Sequence, residues 1–340
     1  MEPVKRLEAL INGVASMKTP LSPRVQVQEE DIGDIDASHA DIRHYNDVSP
    51  SGAAVENAID GSLRSIEGPT FRLYVAVGVA YTKDGILTVP WHKDIKHIAV
   101  QSDDENALMK LEDVALVKFK FGGKERLFKG DVPSDAVGKI VRELVEIALI
   151  KEVKGVTLVD GPLYYGIQGF EEIDLMRIEA LWNKKAVAVV KRLETSKKIC
   201  RAKEWLGKMG LQISDACNDM AIFTELGKRF IKSFRDVVIF GPFKQRFKTS
   251  TLSSPPDRFL WYVYGAGVLF RVEAFREKDG EEILPALLRN RVVPGLPYHI
   301  ALVDKLAKEM SSKITYYLCK RLLERGVSLV YDSLKECYAR

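Results

Sequence analysis

Two Asp-Gly pairs in this sequence end short apolar runs. Asp60 and Gly61 follow "AVENAI", and Asp160 and Gly161 follow "GVTLV". Asp-Gly is a common signal of a tight hairpin turn, but no strand pattern begins two residues after either pair. In an α/β sheet, polar residues at the carboxyl ends of strands line the ligand crevice. The pattern therefore favours two strand ends that place their carboxylates in one pocket, with the hairpin turn as the alternative.

Carboxylate oxygens are the ligands that hard cations prefer, so such a pocket would bind Mg²⁺ or Mn²⁺. The stretch 134–151 has helical periodicity and offers two further acids, Glu143 and Glu146. Arg142 lies one turn before Glu146 and could hold its carboxylate in place. A surface ion pair between these two residues is the alternative interpretation.

A fourth candidate ligand is Asp304, in "PGLPYHIALVDKLAKEM", which we predict to be helical after its prolines. His299 in the same segment is the other possibility, although a lone histidine is more often structural. The sequence has no phosphate-binding loop of the G-x-x-x-x-G-K-[ST] type, no G-x-S-x-G and no H-E-x-x-H. The class that remains is metal-dependent phosphodiester chemistry, in which two cations activate water and stabilise the leaving oxygen.

Basic residues are concentrated in two stretches, although the formal net charge is only +4. The stretch 184–208 is rich in Lys and Arg and contains Lys191 and Arg192, and "FGPFKQRFKTS" at 240–250 mixes basic and aromatic residues. Such stretches suit a phosphate backbone, and Arg64 follows Asp60 closely enough to contact DNA beside it. Solvated helix faces and loops are the alternative interpretation.

The order of the predicted elements defines the fold class. Strand patterns come first, and strands then alternate with helices, so we predict an α/β fold with a mixed sheet. The predicted strands are 54–59, 71–81, 85–90, 96–101, 113–120, 156–160 and 186–191, with a bent strand or hairpin at 259–275. The predicted helices are 4–16, 134–151, 171–183, 195–209 and a long region from Pro297, and 210–258 is expected to be rich in loops. Residues 1–50 are predicted to be a helix with an irregular extension, and 51–340 the main domain.

Composition adds three expectations. The 340-residue chain has no apolar run near the roughly 20 residues that span a bilayer, and its first residues are charged, so we expect a cytoplasmic protein. Its four cysteines lie far apart, which predicts free thiols rather than a zinc site or a disulfide framework. Few Asn and Gln beside many charged residues give a weak indication of a thermophile.

Four phrases together resemble a known family. They are "AIDGSLRS" (58–65), "RELVE…TLVDGPL" (142–163), "VAVVKRLETS" and "PGLPYHIALVDKLAK". In this order they look like the NurA nucleases of archaea, over roughly residues 50–310. The ordered set is more specific than any one of its motifs.

The resemblance implies an RNase H-like core with a mixed central sheet flanked by helices, carrying an N-terminal extension and insertions. It also implies a manganese-dependent site, with magnesium as the alternative cation, and 5′-3′ exonuclease and some single-strand endonuclease activity on DNA. Members form homodimers and act with the hexameric HerA ATPase in the resection of DNA ends for double-strand break repair and homologous recombination. The absence of a phosphate-binding loop here agrees with that division of roles.

Carried over by motif, Asp60 and Asp160 would be the strand aspartates that bind metal. Glu146 matches the helix glutamate of an R-x-x-x-E pattern, with Glu143 in reserve. Lys191 matches the lysine that ends the next strand, where it could contact the scissile phosphate or the DNA backbone.

The late family motif is a G-Y-P sequence with a histidine seven residues after the proline. This chain has Leu296 at the tyrosine position and Asp304 at the histidine position. An aspartate can still bind a hard cation, so Asp304 is the expected fourth ligand, and Tyr298 and His299 are candidates to replace the missing groups. The substitution also motivates an alternative hypothesis, a non-catalytic DNA-binding or scaffolding subunit. A phosphatase of small phosphoesters is a third hypothesis.

Overall fold

The structure, a computed structural model, describes most of the chain. The described residues are 3–19, 34–45, 54–121, 123–165, 171–211, 217–233, 235–246, 256–289, 291–292 and 296–338. Among them, eleven strands form one mixed sheet, and two short hairpins lie outside it. The α/β class with a large mixed central sheet flanked by helices is confirmed.

Five strands form the centre of the sheet. They are β3 (Asn57–Gly68), β4 (Phe71–Thr82), β5 (Gly85–Val89), β9 (Thr157–Asp160) and β10 (Ala186–Val190). Their order across the sheet is β5-β4-β3-β9-β10. The first three are antiparallel neighbours, and β9 pairs in parallel with both β3 and β10. Three consecutive antiparallel strands followed by two parallel ones give the predicted RNase H-like arrangement.

The sheet continues beyond β10 through a hairpin and a further long strand. The hairpin is formed by β12 (Arg258–Gly265) and β13 (Val268–Ala274), and β13 pairs antiparallel with β10. This confirms the hairpin interpretation of 259–275. The other strands of the sheet are β1 (Asp34–Asp36), β2 (Asp41–His44), β6 (Ile98–Gln101) and β11 (Val237–Arg246). The short hairpins are formed by β7 (Lys118–Phe121) with β8 (Lys124–Leu127) and β14 (Arg291–Val292) with β15 (Leu296–Pro297).

Two long helices cover the two faces of the central strands. One is α3 (Ser134–Glu152), whose apolar stripe packs with Ile59 and Val159 in one hydrophobic cluster. The other is α8 (Tyr298–Glu324), which packs with Ala58 and Leu158 on the opposite face. Because side chains alternate along a strand, consecutive residues of β3 and β9 face different helices. Both helices were predicted, α3 from its helical periodicity and α8 from its position after the prolines.

The remaining helices pack around this core. They are α1 (Pro3–Ala15), α2 (Glu105–Lys110), α4 (Glu171–Trp182), α5 (Lys203–Lys208), α6 (Asp219–Phe230), α7 (Glu277–Arg289) and α9 (Tyr331–Tyr338). The predicted helix at 195–209 is a 3₁₀ turn followed by the short α5. No helix in the described part of the chain is both long and apolar enough to cross a membrane.

Two regions that were predicted to be irregular contain strands. β11 lies inside the stretch 210–258, where Gly241 and Pro242 interrupt the β pattern; a register shift in its pairing with β12 accommodates them. β1 and β2 lie inside the predicted N-terminal extension and both pair with β11. They have too few residues to show a period in the sequence.

The free-thiol prediction was wrong. Cys200 is bonded to Cys217, and Cys319 is bonded to Cys337. The first bond joins the 3₁₀ turn before α5 to the residue that precedes Asn218, the N-cap of α6, and the second joins α8 to α9. Sequence spacing does not report which side chains the fold brings within bonding distance.

Candidate active site

Three aspartates from three elements meet at one place. Asp60 lies on β3 and Asp160 is the last residue of β9, and the parallel register that pairs Ile59 with Val159 makes the two aspartates neighbours. Asp304 comes from α8, on the face of the sheet that Ala58 also faces. One carboxylate oxygen from each of the three lies within 4.8 Å of the others, so their placement agrees with the predicted shared pocket.

Asp60 does not end its strand, so that part of the prediction was wrong. β3 continues to Gly68, paired with β4, whereas its parallel neighbour β9 stops at Asp160. The shorter strand leaves this edge of β3 uncovered beyond the aspartates. The opening beside Asp60 is therefore made by the end of β9 and not by an end of β3, and the tight turn that Asp-Gly could have signalled is absent at Asp60.

Gly61 is required because α3 approaches the sheet closely at this residue. A Cβ atom here would lie 2.6 Å from Glu146 Oε1 and 3.1 Å from Arg142 Cγ. The absence of a side chain lets the Arg142 guanidinium reach past the strand, where it donates to Asp60 Oδ1 (3.2 Å) and to Glu146 Oε1 (2.9 Å). Gly61 thus allows Arg142 to contact both Asp60, on the α8 face of the sheet, and Glu146 on α3.

We expect Gly61→Ala to lower the free energy of unfolding by about 1–3 kcal/mol, the usual cost of overpacking a close contact. Glu146 cannot move away cheaply, because it is buried and held by arginines. Urea denaturation measures the effect. The matched control is Gly207→Ala on α5, where an added Cβ meets nothing within 4 Å and better helix propensity should stabilise slightly. Equal stability of Gly61→Ala and the wild type would contradict the close approach.

Glu146 is close to the aspartates but is already engaged by two arginines. Arg142 donates to Oε1, and Arg177 donates to Oε2 (2.7 Å) from inside the fold. Burial raises the pKa of Glu146 above its usual value although both arginines oppose this. Glu143 is held by Arg177 and by the hydroxyl of Tyr165 (2.6 Å). The surface-pair alternative therefore does not apply, and the metal role of Glu146 stays a prediction.

Lys191 follows β10 and lies between two of the aspartates. Its Nζ is 2.7 Å from Asp160 Oδ2 and 2.8 Å from Asp304 Oδ1. Although burial opposes it, the Asp160 carboxylate and its neighbours raise the pKa of Lys191, which keeps the side chain an ammonium. Lys308, one turn beyond Asp304, binds its other oxygen at 2.7 Å.

The surroundings of the aspartates affect their ionisation differently. Burial, and then the charge of Asp160, raise the pKa of Asp60 well above its usual range. For Asp304, partial burial is outweighed by the hydrogen bonds from Lys191 and Lys308, and the pKa is lowered. A divalent cation would relieve the crowding at Asp60, and the donor set, all carboxylate oxygens, fits Mn²⁺ or Mg²⁺.

A cleft of about 850 Å³ opens over the ends of β9 and β10 and contains the three aspartates. Among the described residues that line it, basic side chains outnumber acidic ones. They are Lys139, Arg142, Lys191, Arg192, Lys198, Arg258, Arg271 and Lys308. Sequence reasoning missed Arg258 and Arg271, although Arg271 interrupts the apolar run "VLFRVEAF" and could have been noticed.

Three predicted site residues lie near the cleft but outside its described lining. Tyr298 begins α8 and is 46% exposed, and His299 packs against the ring of Tyr81 with ring centroids 5.3 Å apart. Burial lowers the pKa of His299. Arg64 lies four residues beyond Asp60 on β3 and is half-buried. The roles proposed for these three residues stay predictions.

Comparisons with known proteins complete the description of the site. The model of the NurA domain family matches residues 57–309. No curated protein matches the chain. Among solved structures, a crystal structure of NurA with manganese is 11% identical over 95% of this chain and 97% of that one, with a TM-score of 0.46. A crystal structure of the NurA nuclease from Sulfolobus solfataricus is 12% identical over 92% and 90%, with a TM-score of 0.37.

Proposed function

The chain belongs to the NurA family, and from that premise we propose that it is a metal-dependent DNA nuclease. The observation that carries the proposal is the set of three aspartates in a basic cleft. The carboxylates suit divalent cations, and the surrounding Lys and Arg side chains suit phosphates. The solved structures of NurA with manganese, and with dAMP and manganese, agree with this combination of ligands.

The acidic residues and Arg142 would have different roles at the site. Asp60, Asp160 and Asp304 would hold the cations. A pair of divalent cations at this site would activate water and stabilise the leaving oxygen of a phosphodiester. Arg142 orients the Asp60 carboxylate through its second bond to Glu146, so both residues act on the ligand geometry from the α3 side. Each oxygen of Glu146 already accepts from an arginine, so a cation bound there would be repelled by the two guanidinium groups.

The accessible basic side chains of the cleft would bind DNA beside the scissile bond. They are Lys191, Arg192 and Lys308, whereas Lys198, Arg258 and Arg271 are buried in the wall of the cleft and support it. Because these groups contact phosphates rather than bases, we propose binding without sequence preference. Arg64 would extend the contacts along β3.

The finer activity is proposed on the family alone. It is a 5′-3′ exonuclease with some single-strand endonuclease activity, acting as a homodimer with a hexameric HerA-type ATPase in DNA end resection. An exonuclease that requires a separate motor agrees with a chain that has no phosphate-binding loop of its own.

The second candidate is a non-catalytic DNA-binding or scaffolding subunit, because Asp304 occupies the position of the family's histidine. An assay of oligonucleotides labelled at either end separates the two. We expect cleavage with Mn²⁺, loss of cleavage with excess EDTA, and recovery when Mn²⁺ is added back. DNA binding that falls with salt in the usual way, but without cleavage in Mn²⁺ or Mg²⁺, would support the scaffold and contradict the nuclease. The label that is released first reports the polarity.

A further inference from the structure

The Lys191 ammonium lies between two of the three aspartates that would hold a cation. It is 2.7 Å from Asp160 and 2.8 Å from Asp304, which are ordinary distances for charge-assisted hydrogen bonds. The same two carboxylates belong to the group of three whose oxygens lie within 4.8 Å of one another. Each carboxylate oxygen can accept more than one partner, but an ammonium and a divalent cation held by the same carboxylates repel each other, so binding of one disfavours the other.

We infer that Lys191 is an internal counter-ion, which holds the aspartates in position before a cation binds and leaves when one enters. This inference rests on the proposed function. Once displaced, the ammonium lies at the mouth of the cleft beside Arg192, where it can donate to a phosphate oxygen of DNA. Cation binding and phosphate binding are thereby coupled through one side chain. Before the cation binds, Lys191 acts as a positioning residue for the aspartates.

The other two cations that contact the aspartates are less suited to this role. Arg142 is held in place by Glu146 and reaches Asp60 from the α3 side. Lys308 contacts Asp304 from outside, and its side chain is 57% exposed, so water replaces it at little cost. Lys191 alone among these three bridges two aspartates, and its side chain is only 23% exposed.

Calorimetric titration of the full chain with Mn²⁺ tests the inference. We expect Lys191→Met to bind Mn²⁺ roughly tenfold more tightly than the wild type, because the competing charge is gone, and to cleave DNA more slowly. Arg192→Met removes the same charge from the same cleft without touching an aspartate, and its affinity for Mn²⁺ should stay within about twofold of the wild type. If Lys191→Met binds Mn²⁺ no more tightly than Arg192→Met does, the inference is overturned and the proposed nuclease function is unaffected. A wild type that binds no Mn²⁺ would overturn both.

A measurement on the wild type avoids the risk that Lys191→Met fails to fold. Brief acetylation, followed by mass spectrometry, reports how accessible each lysine amine is. Lys191 should react slowly without metal and several-fold faster with Mn²⁺, whereas the exposed Lys203 should not change. Reactivity of Lys191 that is unchanged or lower with Mn²⁺ would contradict its displacement.

Discussion

Asp60→Asn is expected to abolish metal-dependent DNA cleavage while leaving the metal-free protein at least as stable as the wild type. Asparagine keeps the shape of the side chain but loses the negative charge that binds a cation. If cation stabilisation of the transition state is worth about 4 kcal/mol, the rate falls by roughly 10³-fold.

The expected stability of Asp60→Asn follows from the burial of Asp60 beside the negative charge of Asp160. Asp60 is 2% exposed, and burial together with the charge of Asp160 raises its pKa well above the usual range. The folded protein without metal therefore disfavours the ionised form, and a neutral side chain of the same shape relieves this cost. An acid that served only the fold would show the opposite result, a loss of stability on neutralisation.

Cleavage assays and thermal unfolding with and without Mn²⁺ measure the two halves separately. The wild type should gain thermal stability with Mn²⁺, and Asp60→Asn should gain little. The control is Asp113→Asn, an exposed acid in a loop away from the cleft, which should change neither quantity. Wild-type cleavage by Asp60→Asn, or loss of cleavage only through unfolding, would contradict the proposed role.

The sequence was sufficient to predict the two strands that carry the Asp-Gly pairs, because strand periodicity is a local signal. The shared pocket was predicted from the general rule that strand ends line the ligand crevice of an α/β sheet. The sequence also predicted α3, α8 and the β12–β13 hairpin from local signals. It could not show that β3 continues past Asp60, since "GSLRSIEG" has few β-rich residues and is a strand because β4 pairs with it.

Contacts between distant segments were beyond the sequence. Lys191 was expected to face a phosphate, and its bridge between Asp160 and Asp304 depends on how α8 packs over β3, β4 and β9. The contact of Arg177 with Glu146 and the two disulfides could not be predicted for the same reason. Each joins segments that are distant along the chain, and nothing in their local sequence identifies the partner. Strand type is predictable from local pattern, and partner choice is not.

Glu273→Gln should be the most destabilising of the conservative changes considered. Glu273 is fully buried, and both its oxygens are used: Oε1 accepts from Arg271 (2.8 Å), and Oε2 accepts from Arg258 (3.0 Å) and the Leu163 amide (3.0 Å). Neutralising it removes the counter-charge of the buried Arg258 and leaves the buried Arg271 with the more distant Asp219 (3.5 Å). Breaking a buried ion pair in this way costs about 3–5 kcal/mol, which chemical denaturation at pH 7 will measure.

The same variant should change the response to acid. Although burial opposes it, Arg258 and Arg271 lower the pKa of Glu273 from 4.5 to about 2. A lowered pKa means that the folded state favours the carboxylate, so this stabilisation is complete above about pH 4.5 and is lost as the pH falls toward 2. It amounts to about 3 kcal/mol. The free energy of unfolding of the wild type should therefore fall more steeply with acid than that of Glu273→Gln.

The matched control is Glu282→Gln, which removes an ion pair with Lys185 near the surface and should cost far less stability than Glu273→Gln, because solvent screens this pair. Equal losses for the two variants at pH 7, or parallel acid profiles, would contradict the role of Glu273.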